Sequence, residues 1–178
     1  MSLDGPVSGR ISLGGRIFAN MAQTPFTVSR GGSRSTGRIA IKVSGKDTDG
    51  SFAVLEVPTP PDSGPSLHTH HIENEWFYVL EGEYDIKVGD QIYHLEPGGS
   101  AYGPRLIPHT WHCVSLAMGR LLVVSQPAGH LESFVEDLEK LAPAQLRDPA
   151  VEKALFEKHE IEWAGPPLPK KNATAGAP

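Results

Sequence analysis

The apolar residues of this chain change their spacing once. From about residue 38 to residue 126 they fall in short runs separated by turn signals, and after Pro127 they repeat with a helical period. In the first region, 39–44 (IAIKVS) and 51–57 (SFAVLEV) read as strands joined by a polar GKDTDG turn. A stiff TPPDSGPS loop follows. The stretch HTHHIENEWFYVLEG then bends near Ile72–Asn74 and runs as a strand over 75–81, which Gly82 ends. YDIKV and QIYHL flank Gly89-Asp90, the signature of a tight hairpin turn. PGGSAYGPRLIPH is rich in turn formers, and WHCVSLA and RLLVVSQ read as a last hairpin around Met118-Gly119. About nine short strands with frequent turns predict an all-β sandwich or closed barrel.

The second region predicts two helices. LESFVEDLEKLA (131–142) carries apolar residues at 131, 134, 135, 138 and 141. Asp148-Pro149 opens a helix over about 149–159, with Asp as cap and Pro in the first turn. Residues 1–14 and 29–37 are loop-like, with Arg16–Asn20 and Pro25–Ser29 as short strands or arms between them. The expected organisation is an N-terminal arm (1–37), a barrel (38–128), a C-terminal helical extension (129–163) and an extended or disordered tail (164–178).

Composition narrows the class. A length of 178 residues suits one domain with a real core, and 19 Gly with 16 Pro favour a turn-rich β fold over a bundle. The net charge is −5, with no Lys/Arg cluster in the expected domain, which argues against nucleic acid as a partner. No apolar run approaches the roughly 20 residues that span a bilayer, and the first residues lack an apolar signal region. The one cysteine, Cys113, excludes an intrachain disulfide and fits a reducing cytoplasm. A cytoplasmic protein with no membrane partner is expected.

The chemistry concentrates in four residues. His68 and His70 are two apart, so on a strand both side chains share a face. Glu75 opens the next strand and can turn a carboxylate back toward the same cavity. His109 lies further along and is expected from the opposite wall. Three imidazoles and a carboxylate suit one divalent transition-metal ion, Fe, Mn, Ni, Co or Zn, and four protein ligands leave a position open for catalysis. A His-x-His pair by itself is weak, since eight histidines produce such pairs by chance. His71, Glu73 and His94 add to the density of the patch. By parity His71 points outward, and His112 falls opposite His109 and reads as structural.

The same residues carry a resemblance. HTHHIENEWFYVLEG resembles the first cupin motif: His68, one residue, His70, four residues, Glu75, six residues, Gly82. Gly98, Pro104 and the Pro108-His109 step resemble the second. Three positions depart from the pattern. Gly64 lies closer to His68 than the family spacing, Leu106 stands where the second motif has Gly, and Cys113 replaces its closing Asn. The match covers 39–126. It implies a cupin double-stranded β-helix, a jelly-roll barrel, here with C-terminal helices. It also implies His68, His70, Glu75 and His109 as the metal ligands. The longer run HTHHIENEWFYVLEGEYDIKVGD, with PHTWHCV and IEWAGPPL, resembles single-domain bacterial cupins grouped with quercetin 2,3-dioxygenase.

Function follows as expectation. In strand 75–81, Phe77 and Val79 share the face of Glu75, and Trp111 shares that of His109. These three are expected to line a pocket for a small hydrophobic enol or phenol, against the commoner reading that inward apolar residues are simply core. The leading expectation is a metal-dependent dioxygenase, with Glu75 as both ligand and general base. The alternatives are a metal-dependent isomerase or epimerase of a sugar or small acid, with Lys87 and Arg105 the main cations near the motifs, and a non-enzymatic small-molecule-binding cupin. Trp76, Tyr78 and Leu80 form a second apolar face on the same strand. It must be covered by the arm, the helices or a second subunit, so a homodimer is expected.

Overall fold

The structure, a computed structural model, describes residues 24–33, 37–142, 144–145 and 148–169. The arm expected at Arg16–Asn20 and residues 170–178 of the tail lie outside these residues. Ten strands are present among them: β1 (Ala40–Val43), β2 (Ala53–Thr59), β3 (Leu67–His70), β4 (Asn74–Glu81), β5 (Tyr84–Val88), β6 (Gln91–Leu95), β7 (Ser100–Gly103), β8 (His109–Cys113), β9 (Gly119–Gln126) and β10 (Ile161–Gly165). They form two antiparallel sheets, ordered β1-β2-β9-β4-β7 and β10-β3-β8-β5-β6. Alternation along the strands explains the layering. Leu55, Phe77, Val79, Leu121 and Val123 of the first sheet and Tyr84, Ile86 and Cys113 of the second are buried together in one core.

Most strands fall where the apolar pattern places them. The Gly89-Asp90 turn joins β5 and β6 as expected, with Val88 opposite Gln91 and Gly89 at φ 58°. Four features differ. The turn-rich stretch after Leu95 contains β7, which pairs with β4. Residues 109–113 and 119–126 do not form a hairpin, because β8 pairs with β3 and β5 while β9 pairs with β2 and β4. The connection around Met118 therefore crosses between sheets. Residues 161–165, expected to straddle the end of the helical extension and the tail, form β10 on the open edge of β3. Pro25–Ser29 is not a strand.

Two helices follow the sandwich. α1 (Leu131–Leu138) stops four residues short of the periodic stretch. α2 (Pro149–Lys158) starts as expected, with Asp148 accepting the Ala150 N–H at 2.9 Å. Leu131 and Val135 of α1 enter the core, and the rings of Phe134 and Phe156 pack 5.6 Å apart between the helices. Asp137 clamps the pair by accepting from Lys140 (2.8 Å), Lys158 (2.7 Å) and His159 Nε2 (2.9 Å). Both helices supply walls to a cavity between the sheets. The outer face of β4 is left open: Trp76 and Leu80 are each 37% exposed and Tyr102 of β7 is 56% exposed. No helix among the described residues is long and apolar enough to cross a membrane.

Leu106 occupies the position where the resemblance calls for glycine, and the turn keeps the glycine-like backbone, with φ at 66°. Its N–H donates to the His70 carbonyl oxygen at 2.8 Å, so the turn is pinned beside the histidine strand. A branched side chain in this region costs about 1–2 kcal/mol, while a glycine costs about 0.5–1 kcal/mol in chain entropy. The Leu106 side chain buries little in return, being 61% exposed. Leu106→Gly is therefore expected to stabilise the fold by about 0.5–1 kcal/mol, read as a rise in Tm. An unchanged or lower Tm contradicts the strain.

Candidate metal centre

Three imidazoles come from one sheet and the carboxylate from the other. His68 and His70 sit on β3 with a common face inward. His109 on β8 is the register partner of His68, so it arrives beside the pair and not, as the sequence suggested, from the opposite wall. The opposite wall is β4, which supplies Glu75 after the chain bends at 71–73 and changes sheets. One ligand-type atom from each of the four residues lies within 4.8 Å of the others, and all four residues are buried. The ring of His68 lies 5.1 Å from that of His70 and 4.9 Å from that of His109. His71 points outward to Glu162 at 3.1 Å, and His94 bonds Asp85 at the surface. His112 faces away from the cluster and meets Asp62 at 3.0 Å.

The hydrogen bonds decide which ring atoms face inward. His68 Nδ1 donates to the Ser66 carbonyl at 2.7 Å and His109 Nδ1 to the Ile107 carbonyl at 2.9 Å. A carbonyl only accepts, so both rings carry their proton on Nδ1. His70 Nδ1 lies 3.4 Å from Glu73 Oε2, close to the carboxylate but outside hydrogen-bond geometry. Nε2 of His109 and of His70 then lie 3.1 and 3.6 Å from the same oxygen, Oε2 of Glu75. An imidazole lone pair and a carboxylate oxygen repel each other at this distance unless a cation lies between them. A divalent ion is the cation this donor set fits.

Burial and charge act differently on each member of the cluster. Burial and the neighbouring rings of His109 and His70 push the His68 imidazole down to about 3, so it stays neutral and available as a ligand. Burial pushes the Glu75 carboxyl up, but the facing imidazoles, His70 first, outweigh it and hold it at about 2. Burial disfavours the charged form of His70, yet the carboxylates of Glu75 and Glu73 outweigh it and raise its pKa.

Several supporting residues were not evident from the sequence. A Cβ on Gly103 of β7 would lie 3.1 Å from the His109 ring, so the glycine leaves room for that ring. The ring of Phe156 on α2 covers His68 at 5.4 Å. Ser66 holds His68 through its carbonyl while its N–H and Oγ donate to Glu152 of α2 at 3.2 and 2.7 Å. A cavity of about 660 Å³ adjoins the cluster, and Glu75 lines it. Its other walls include Leu55, Val57, Trp111, Val123, Phe134 and Phe156. Of the three residues expected to line a pocket, Trp111 does so, whereas Phe77 and Val79 are fully buried in the core. The Phe77 ring packs against those of His109 (5.7 Å) and Trp111 (5.5 Å), so it acts as backing to the site.

The architecture has known counterparts. An RmlC-like cupin from Shewanella frigidimarina matches with a TM-score of 0.50 at 19% identity, covering 61% of this chain and 96% of that one. The fold is the cupin jelly roll. Residues 55–125 match the family model of the cupin domain, which supports the cupin superfamily. A protein of Thermus thermophilus is similar at 29% identity, with a TM-score of 0.42, over 44% of this chain and 74% of that one. A predicted oxalate decarboxylase from Thermotoga maritima is similar at 22% identity, with a TM-score of 0.45, over 50% of this chain and 78% of that one. No curated protein matches the chain. The matched span contains all four residues of the cluster.

Metal binding is directly measurable. The purified chain is expected to take up one Co²⁺ or Zn²⁺ per molecule and to gain Tm on doing so. The ion needs neutral rings, and His70 holds its proton above the ordinary 6.5. Affinity is therefore expected to fall as pH drops through that raised value, by about tenfold per pH unit for each proton displaced. Isothermal titration at several pH values checks this, and an affinity independent of pH between 5 and 8 contradicts it.

Proposed function

We propose that this chain is a metal-dependent dioxygenase, of the quercetin 2,3-dioxygenase-like kind, acting on a small, uncharged, hydrophobic enol or phenol. The observation that carries this reading is that Glu75 belongs to the four-residue cluster and also lines a largely apolar cavity of about 660 Å³. A molecule filling the cavity meets the cluster at Glu75. A divalent ion held there would supply Lewis-acid polarisation of the substrate hydroxyl and the means of bringing oxygen and substrate together.

The chain's own residues do the rest. Glu75, held at about 2, is ionised at neutral pH and accepts the proton of a substrate hydroxyl made acidic by binding. Leu55, Val57, Val123 and Phe134 exclude water and hold an apolar ring. The indole Nε1 of Trp111 is buried with no acceptor among the described residues, and a second oxygen on the substrate would satisfy it.

The lining also weighs against a phosphorylated sugar. Arg38 is the one cation among its residues, and Glu139 already engages it at 3.4 Å. Lys87 and Arg105 are not among the lining residues. For this reason the dioxygenase reading stands ahead of an isomerase, and a non-enzymatic binding role is separated from both by experiment. Protein loaded with Fe²⁺, Mn²⁺, Co²⁺ or Ni²⁺ is expected to consume oxygen with flavonols or related enols. Glu75→Gln is expected to lower turnover by about 10²–10⁴-fold while apolar ligands still bind. No oxygen uptake with any such substrate contradicts an oxygenase, and unchanged turnover in Glu75→Gln contradicts the role of the base.

We also propose a homodimer. The open face of β4 and β7, with Trp76, Leu80 and Tyr102, is a contiguous apolar surface that neither helix covers. Light scattering at micromolar concentration is expected to give twice the 19.2 kDa chain mass, and a monodisperse monomer contradicts the pairing. The cytoplasm is the proposed compartment, since the one cysteine is a free, buried thiol that needs no oxidising environment.

A further inference from the structure

Glu73 belongs to neither the ligand set nor the motif positions, yet it is 3% exposed. A carboxylate is buried only where partners compensate its lost hydration. Two are present. Oε1 accepts the backbone N–H of His130, at the start of α1, at 2.7 Å. Oε2 lies 3.4 Å from Nδ1 of His70. The space for this carboxylate is made by Gly129, where a Cβ would collide with it and where φ is 54°.

The three imidazoles are thus not equivalent. His68 and His109 present Nδ1 to neutral carbonyls, those of Ser66 and Ile107, whereas His70 presents it to a carboxylate. A carboxylate draws the Nδ1 proton, fixes the ring's orientation and enriches Nε2, which makes the ring a stronger metal donor. Charge points the same way. With three neutral rings, Glu75 alone leaves a buried dication with a net charge of one, while Glu75 and Glu73 together bring the cluster to neutrality.

We infer that Glu73 is a positioning residue of the metal centre: it acts through His70 to orient and strengthen one ligand, and it completes the charge balance for a divalent ion. This rests on the reading of His68, His70, Glu75 and His109 as a metal site. Glu73→Gln keeps an oxygen for the His130 N–H and the side-chain shape but removes the charge. Its Co²⁺ affinity, measured by competition with a chelator, is expected to be about 10–100-fold weaker than that of the wild-type chain, with an unchanged far-UV circular dichroism spectrum. If Glu73 only stabilised the fold, the variant would lose apoprotein Tm while binding Co²⁺ within about threefold of wild type. That outcome overturns the inference and leaves the metal site standing. A wild-type chain that takes up no Co²⁺ overturns the site and the inference with it. Should Glu73→Gln fail to fold, ¹⁵N-histidine NMR of the zinc-loaded wild-type chain decides. The His70 ring proton is expected on Nδ1, downfield of those of His68 and His109, and a His70 resonance no further downfield than that of His109 overturns the inference.

Discussion

Three imidazoles and a carboxylate held within 4.8 Å of one another inside an apolar sandwich form a constraint that the rest of the structure serves. Left without a cation, the inward nitrogens of His70 and His109 face one oxygen of Glu75 as acceptor against acceptor. Protonating the rings relieves that contact but places several positive charges together in a medium that screens them poorly. The burial that keeps His68 neutral is what makes it a ligand. The rings of His68 and His109 are fixed from behind, at Nδ1, by backbone carbonyls, so their orientation does not depend on the ion alone.

The two sheets divide the labour. The rings stand on neighbouring strands, where one register pair, His68 opposite His109, sets their separation. The carboxylate crosses from the other sheet, so the spacing between sheets sets the depth of the cluster. The C-terminal extension acts on both. Glu152 of α2 holds Ser66, which holds His68, Phe156 covers the same ring, and β10 pairs with the strand that carries His68 and His70. Glu73 ties His70 to the start of α1. The helices that wall the cavity are thereby joined to the histidines of the cluster.

Much of this was legible in the order of residues, for reasons that are physical. Period-two alternation reports a half-buried strand wherever one face is core, and the two-residue spacing of His68 and His70 is enough to place them on one face. The pattern failed where its premise failed. β7 is short, mostly outward-facing and set among turn formers, so alternation had little to report. β10 is an edge strand whose partner lies far back in the chain. The supposed hairpin at Met118 and the wall assigned to His109 both turned on which sheet a strand joins. That is a tertiary choice, and local sequence does not record it. The roles of Glu73, Gly103 and the Ser66–Glu152 link were missed for a related reason: their meaning comes from contacts between residues distant along the chain. Leu106 shows the reverse case, a departure from the family pattern that leaves the backbone turn unchanged.

The chemistry of the site depends on one ion sitting among His68, His70, Glu75 and His109. Anomalous diffraction from crystals of the cobalt-loaded chain, collected on both sides of the cobalt edge, tests this most directly. A single strong peak is expected within bonding distance of Nε2 of His68, His70 and His109 and of a Glu75 carboxylate oxygen. A peak at the surface histidines with none in the cluster, or rings turned so that Nδ1 faces the centre, would contradict the assignment.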